Sequence, residues 1–119
     1  MDLSRTMALG APDTAPIQFG SIKFVSGILA GETLEIKSEG VCIGRDSGLS
    51  QIVVADPRIS KRHLWIGVRD GRVAITDQGS RNGTFLNDPK SPRVTDAVLS
   101  SGDVVILGES DVARFEYEK

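Results

Sequence analysis

Three short polar clusters hold most of the residues that could do chemistry in this sequence. They are Gly44-Arg45, Ser60-Lys61-Arg62-His63 and Ser80-Arg81-Asn82-Gly83-Thr84, and each lies where an apolar run begins or ends. Arginine, lysine and hydroxyl groups donate the hydrogen bonds that an anion such as phosphate or carboxylate accepts. Loops carried by β-strands are a usual position for a binding site. The clusters therefore predict an anion-binding site built from loops.

The distribution of charge favours a small anion over a polyanion. The net charge of −2 argues against coating nucleic acid through bulk charge. Residues 45–82 hold seven basic and four acidic side chains, whereas residues 83–119 hold four basic and seven acidic ones. The few aromatic residues make a poor stacking surface for bases. We therefore expect no nucleic-acid partner.

Catalysis and metal binding have few candidate residues. Cys42 is the only cysteine and His63 the only histidine, so we expect no disulfide within the chain, no metal and no other cofactor. Ser60 and His63 would make a nucleophile and base, but the spacing runs into a strand and no Gly-x-Ser-x-Gly elbow is present. We predict that the chain is not an enzyme. His63 is expected to tie one loop to another through its ring nitrogens.

Short β-strands must position these clusters. Alternation places Ile22 and Phe24 in a first strand, and Asp70-Gly71 predicts a tight two-residue hairpin. No window of helical length carries an apolar stripe. Apolar runs bounded by turn residues predict further strands at 33–37, 41–43, 52–54, 64–68, 72–76, 84–86, 104–107 and 112–117. The pattern predicts an all-β sandwich of about ten strands.

The length of 119 residues predicts one folded domain. Residues 1–16 mix Gly, Ala, Pro, Ser and Thr without a sustained period and are predicted to form a flexible tail, which leaves 17–119 as the domain. No apolar run is long enough to span a bilayer, and the first residues lack the pattern of a secretory signal. We therefore expect a cytoplasmic protein that does not insert into a membrane.

Taken singly, the clusters have ordinary structural explanations. Gly44-Arg45 fits a turn glycine with a surface arginine, and Asn82-Gly83 fits a hairpin turn. Their order is more specific, since Ser60-x-x-His63 follows Arg45 after about fifteen residues and Asn82-Gly83-Thr84 comes about twenty further on. This combination resembles the forkhead-associated (FHA) domain, and segments 56–63 and 79–87 look especially like its bacterial members.

The resemblance spans roughly residues 22–117 and implies a sandwich of about 10–11 mostly antiparallel strands with binding loops at one end. Such domains bind peptides that contain phosphothreonine. By matching positions, the resemblance implies that Arg45 and Ser60 contact the phosphate and that Lys61 adds a further contact. It also implies that Asn82 bonds to the peptide backbone just past the phosphothreonine, with Arg81 along the same edge.

The remaining matched positions concern selectivity and loop shape. Arg58 matches a position that influences the choice of the residue three after the phosphothreonine. An arginine there favours an acidic side chain, although aliphatic preferences also occur in such domains. The residues implied to shape the loops rather than touch the ligand are Gly44, His63, Gly83 and Thr84.

The resulting prediction is a phosphothreonine-dependent peptide-binding module that acts downstream of a Ser/Thr kinase. Phosphothreonine carries about −1.5 to −2 charges and three acceptor oxygens, which suits clustered cations and hydroxyls. The alternative is a phosphate-independent scaffold that binds a partner through a sheet face or edge, motivated by the acidic last third of the chain. Thr6 or Thr14 of the tail, if phosphorylated, is a candidate ligand for the pocket of the same chain.

Overall fold

The computed structural model describes residues 19–108 and 111–119, which form ten short strands. The predicted tail, including Thr6 and Thr14, lies outside the described residues. The strands are β1 (Ser21–Ser26), β2 (Thr33–Glu35), β3 (Val41–Gly44), β4 (Ile52–Val53), β5 (Leu64–Arg69), β6 (Arg72–Asp77), β7 (Thr84–Leu86), β8 (Asp96–Val98), β9 (Val104–Leu107) and β10 (Ala113–Glu118).

The strands are arranged in two sheets of five, and each sheet buries one face against the other. One sheet has the order β2-β1-β10-β9-β7 and the other the order β4-β3-β5-β6-β8. All pairings are antiparallel except the short parallel pair of β3 with β4. This confirms the predicted all-β sandwich of mostly antiparallel strands. No helix among the described residues has the length and apolar character to cross a membrane.

The core lies between the sheets and follows from the period-2 alternation of the sequence. Phe24 of β1 lies opposite Phe115 of β10, and their rings, both fully buried, have centroids 5.4 Å apart. In the other sheet, Ile66 of β5 lies opposite Ile75 of β6. Both isoleucines belong to the same apolar cluster as the two phenylalanines. Alternate residues on each strand therefore pack into one core between the sheets. This packing holds the strand ends in fixed positions.

Strand register brings the three polar clusters to one end of the sandwich. Ile43, one residue before the end of β3, pairs with Leu64 at the start of β5, and Leu64 pairs with Asp77 at the end of β6. Thr84 at the start of β7 pairs with Leu107 of β9 in the other sheet. The loops that follow β3, precede β5 and join β6 to β7 consequently emerge together. We call this end of the molecule the loop end.

Two local features differ from the sequence-based expectation. β8 was not predicted, because it has only three residues, two of them exposed, and so carries too little of the alternating pattern. The Asn82-Gly83 dipeptide is not a hairpin turn, since β6 and β7 belong to different sheets and the segment between them crosses from one to the other. The Asp70-Gly71 hairpin is present, with φ values of 53° and 77°.

Replacing Phe115 with alanine is expected to reduce the free energy of unfolding by about 3–5 kcal/mol, because it removes a fully buried ring and leaves a cavity beside Phe24. The matched control is Val25→Ala in the adjacent strand, whose side chain is 48% exposed and which should change stability by less than about 0.5 kcal/mol. Urea unfolding followed by Trp65 fluorescence measures both variants. Similar losses in the two variants would contradict this description of the core.

Candidate functional site

A pocket of about 380 Å³ at the loop end brings the polar clusters together. Five of the residues that line it are cations and none is acidic. All five cations are exposed, so their charges are available to a ligand. The five are Arg45, Arg58, Lys61, Arg62 and Arg81. Such a concentration of positive charge on rigid strand ends suits a compact anion.

Arg45 follows β3 directly and is held by the neighbouring loop. Its backbone N–H donates to the carbonyl oxygen of Ser60 at 2.9 Å, and its Nε donates to the carbonyl oxygen of Ile59, also at 2.9 Å. The bond at Nε fixes the plane of the guanidinium group. The two terminal nitrogens of the guanidinium group remain available to donate hydrogen bonds to two atoms of one ligand.

Gly44 lets this loop approach the end of β3 closely. A Cβ atom at this position would overlap the carbonyl oxygen of Lys61 and lie 2.5 Å from the hydroxyl oxygen of Ser50. That same carbonyl accepts a hydrogen bond of 2.8 Å from the Ser50 hydroxyl. Gly44 is absent from the residues with positive φ, so the glycine is required for space and not for a turn conformation.

Ser60 links the second cluster to the third. Its hydroxyl oxygen accepts a hydrogen bond of 2.9 Å from the backbone N–H of Arg81. Because this bond uses a lone pair of the oxygen and not the hydroxyl hydrogen, the hydrogen is available to donate to an anion. Both Ser60 and Arg81 line the pocket.

The buried His63 side chain connects the loop that carries Ser60 to the loop that carries Gly83. The buried imidazole accepts a hydrogen bond at Nδ1 from the backbone N–H of Ser60 at 3.2 Å, and its Nε2 donates to the carbonyl oxygen of Gly83 at 2.8 Å. This pattern requires the neutral tautomer with hydrogen on Nε2. Burial lowers the pKa of His63, outweighing the opposing effects of the Gly83 carbonyl and the Asp77 charge. Its contact is with the Ser60 backbone and not with the hydroxyl.

Asp77 organises the third cluster and was missed by the sequence analysis. Its carboxylate accepts hydrogen bonds from the Ser80 N–H at 2.7 Å, the Ser80 hydroxyl at 2.6 Å and the buried Thr84 hydroxyl at 2.7 Å. Burial alone would raise the pKa of Asp77, but these donors together lower it. An aspartate at a strand end followed three residues later by serine is a local turn signal that was visible in the sequence.

Arg93 was also missed, because it lies in a segment without periodic pattern. Its Nη2 donates to the carbonyl oxygens of Ser80 at 3.0 Å and Arg81 at 2.8 Å. The Arg93 side chain occupies the space where a Cβ of Gly83 would lie, and Gly83 has a φ of 90°. A side chain at position 83 would therefore displace Arg93 and strain the backbone.

The rim of the pocket carries Arg58 and Asn82. The Asn82 amide nitrogen donates to the carbonyl oxygen of Arg58 at 2.8 Å. The Arg58 guanidinium is paired with Asp56 at 2.8 Å, and the side-chain and backbone hydrogen bonds from Arg58 lower the pKa of Asp56 to about 2. This rim joins the loop before β5 to the loop before β7.

The structure thus brings every residue predicted to bind the phosphopeptide or to shape its loops to the loop end. Those that line the pocket are Arg45, Arg58, Ser60, Lys61 and Arg81. Asn82 bonds to the rim of the pocket, and the residues that lie beneath or beside it are Gly44, His63, Gly83 and Thr84.

Comparison with known proteins gives the same assignment. The family model for the FHA domain matches residues 41–108. The chain is 34% identical over 102 residues to the oxoglutarate dehydrogenase inhibitor of Corynebacterium diphtheriae, covering 86% of this chain and 68% of that protein. It is 38% identical over 87 residues to an FHA domain-containing protein of Arabidopsis thaliana, covering 72% of this chain but only 22% of that relative.

Solved structures share the fold. An FHA domain from a structural and functional analysis of phosphothreonine-dependent FHA domain interactions superposes with a TM-score of 0.68 at 26% sequence identity. The match covers 83% of this chain and 96% of that one. The polar clusters at the loop end therefore lie on a scaffold that phosphothreonine-dependent domains also use.

Lowering the pH is expected to destabilise the fold through His63. Its pKa in the folded state lies below the ordinary value of 6.5, so the unfolded chain binds a proton that the folded chain does not. The stabilisation is complete above pH 6.5 and is lost as the pH falls, by at most about 1.4 kcal/mol per pH unit for one group. Urea unfolding between pH 7 and 5.5 measures this slope.

His63→Gln is the control for that slope, because His63 is the only histidine of the chain. The variant should be less stable than the wild type at pH 7 and should lose the pH dependence in this window. A slope that is the same in the two proteins would show that His63 is not held neutral by the fold.

Proposed function

Because this chain belongs to the FHA domain family, we propose that it binds phosphothreonine-containing proteins downstream of a Ser/Thr kinase and that the pocket at the loop end holds the phosphate. The observation that carries the proposal is the pocket itself, in which five cations and no acidic residue surround the Ser60 hydroxyl. The proposed binding unit comprises residues 17–119. Kinases draw on ATP, so the proposed setting is the cytoplasm.

The phosphate is assigned to Arg45, Ser60 and Lys61. Arg45 presents its terminal nitrogens, Ser60 its hydroxyl hydrogen and Lys61 its ammonium group, which together match the three acceptor oxygens of the phosphoryl group. Each charge-assisted hydrogen bond contributes about 1.5–3 kcal/mol. A threonine without phosphate offers no charge to these cations. The site therefore distinguishes the two states of the ligand chiefly by charge.

Asn82 and Arg81 are assigned to the peptide that carries the phosphothreonine. The Asn82 amide nitrogen is already bonded to the Arg58 carbonyl, so the amide oxygen is the atom that accepts a peptide N–H. Arg81 is fixed by its backbone bonds to Ser60 and Arg93, and its side chain lies on the edge of the pocket. The peptide then runs from the phosphate subsite across the rim formed by Asn82 and Arg58.

We further propose that the chain acts by binding alone. FHA domains are binding modules, and the one histidine of this chain bonds to the backbone of Ser60 rather than to its hydroxyl. Ser60 consequently has no imidazole positioned to remove its proton. Its hydroxyl is a hydrogen-bond donor for a bound anion.

Arg45→Ala is expected to weaken binding of a phosphothreonine peptide by at least about tenfold, because it removes a two-pronged charge-assisted contact. Calorimetric titration with a library of phosphothreonine peptides and their dephosphorylated counterparts measures the effect. Arg72→Ala removes the same charge from an exposed arginine beside the distant Asp70-Gly71 hairpin and should leave the affinity within about twofold.

The dephosphorylated peptides should bind at least about tenfold more weakly than the phosphorylated ones. Equal affinity for the two forms, or an unchanged affinity in Arg45→Ala, would contradict the proposal. Capture of a partner that survives the double change Ser60→Ala and Asn82→Ala would instead favour the phosphate-independent scaffold.

A further inference from the structure

The pocket at the loop end carries an exposed leucine among its cations. Leu49 lines the pocket and is 45% exposed. Three other large apolar residues of the described chain are similarly exposed, but Val25, Ile28 and Val98 lie outside this pocket. A single exposed leucine is ordinary on a protein surface, whereas Leu49 lies where a ligand is expected to bind. The cations and hydroxyls assigned to the phosphate leave it without a role.

The turn that carries Leu49 is held in place on both sides of this residue. The Lys61 carbonyl oxygen accepts a hydrogen bond from the Asp46 N–H at 3.3 Å and another from the Ser50 hydroxyl at 2.8 Å. Within the turn, the Asp46 carboxylate accepts from the Gly48 N–H at 2.7 Å, and the Asp46 carbonyl oxygen accepts from the Leu49 N–H at 3.1 Å. Because the turn is already ordered, contact between Leu49 and a ligand costs little conformational freedom.

The order of strands in the sheet indicates which part of a peptide would approach Leu49. Ser60 lies in the loop before β5, and β5 lies between β3 and β6 in the sheet. The turn with Leu49 follows β3, whereas Asn82 follows β6. Leu49 and Asn82 are therefore carried by strands on opposite sides of β5. A peptide with its phosphate at Ser60 and its following residues at Asn82 brings the residues before the phosphothreonine toward Leu49.

We propose that Leu49 is a specificity-determining residue, which selects phosphothreonine peptides that have an apolar side chain shortly before the phosphothreonine. An apolar peptide side chain that packs against Leu49 removes apolar surface of both partners from water, and this favours binding roughly in proportion to the area buried. A polar side chain at the same position gains nothing comparable. The inference rests on the proposed phosphopeptide binding.

Leu49 and the residues assigned to the phosphate would then read different features of one ligand. The charged contacts of Arg45 and Lys61 distinguish a phosphorylated threonine from an unphosphorylated one, whatever side chains surround it. Contact with Leu49 depends on a neighbouring side chain and not on the phosphate. Leu49 therefore gives the site a preference among phosphorylated peptides.

The test places leucine or serine at each position before and after the phosphothreonine in an otherwise neutral peptide. Calorimetry measures the affinities for the wild type, for Leu49→Ser and Leu49→Met, and for the control Val98→Ser, which changes a residue 49% exposed outside the pocket. In the wild type, one position before the phosphothreonine should favour leucine by about three- to tenfold.

Leu49→Ser should reduce that preference to less than about twofold and leave the affinity for the serine peptide within about twofold of the wild type. Leu49→Met keeps an apolar side chain of similar size and should retain the preference, as should Val98→Ser. The retained affinity for the serine peptide shows that Leu49→Ser leaves the rest of the pocket intact.

A wild type that binds phosphopeptides but prefers leucine at no position before the phosphothreonine would overturn the inference and leave the proposed function standing. A preference that survives in Leu49→Ser, or that Val98→Ser abolishes equally, would also overturn it. Equal affinity of the wild type for phosphorylated and dephosphorylated peptides would contradict the proposed function, and the inference with it.

Discussion

The His63 imidazole provides the contact on which the binding site depends. It accepts the Ser60 N–H and donates to the Gly83 carbonyl, so one neutral ring joins the loop before β5 to the loop before β7. The first loop leads into β5 in one sheet and the second into β7 in the other, and no backbone ladder joins the two loops at this point. The ring must remain neutral to do this, and burial lowers its pKa accordingly. Without it, the two loops would be joined at the pocket by the weaker, exposed bonds of Arg81 to Ser60 and of Asn82 to Arg58.

Grouping five cations around one pocket has an electrostatic cost that the surrounding loops offset. Backbone carbonyls accept from Arg45 and Arg93, and Asp77 supplies a charge beneath the pocket that Ser80 and Thr84 stabilise. Asp56 forms an ion pair with Arg58 at the rim. A site prepared in this way loses little conformational freedom when a ligand binds.

The sequence predicted the sandwich and the positions of nine of the ten strands, because alternation and turn residues are strong where a strand buries one face. Strand β8 was not predicted, because its three residues are too few to show the alternating apolar pattern. The order of the clusters indicated the site residues but not the two residues that support them. Arg93 contacts the site from a separate loop, and Asp77 acts through the folded conformation of its own loop. The pairing of Arg58 with Asp56 could not be predicted from the sequence either, since it depends on the conformation of one turn.

The most direct test of this account is a heteronuclear NMR titration of the protein with a phosphothreonine peptide. Binding at the prepared pocket should shift the backbone amides of Arg45, Ser60 and Arg81 and leave those of the Asp70-Gly71 hairpin unchanged, while the dephosphorylated peptide should shift neither group at the same concentration. Shifts centred on the β5–β6–β8 face, or equal shifts with the dephosphorylated peptide, would contradict the central claim that the loop end is a phosphothreonine site.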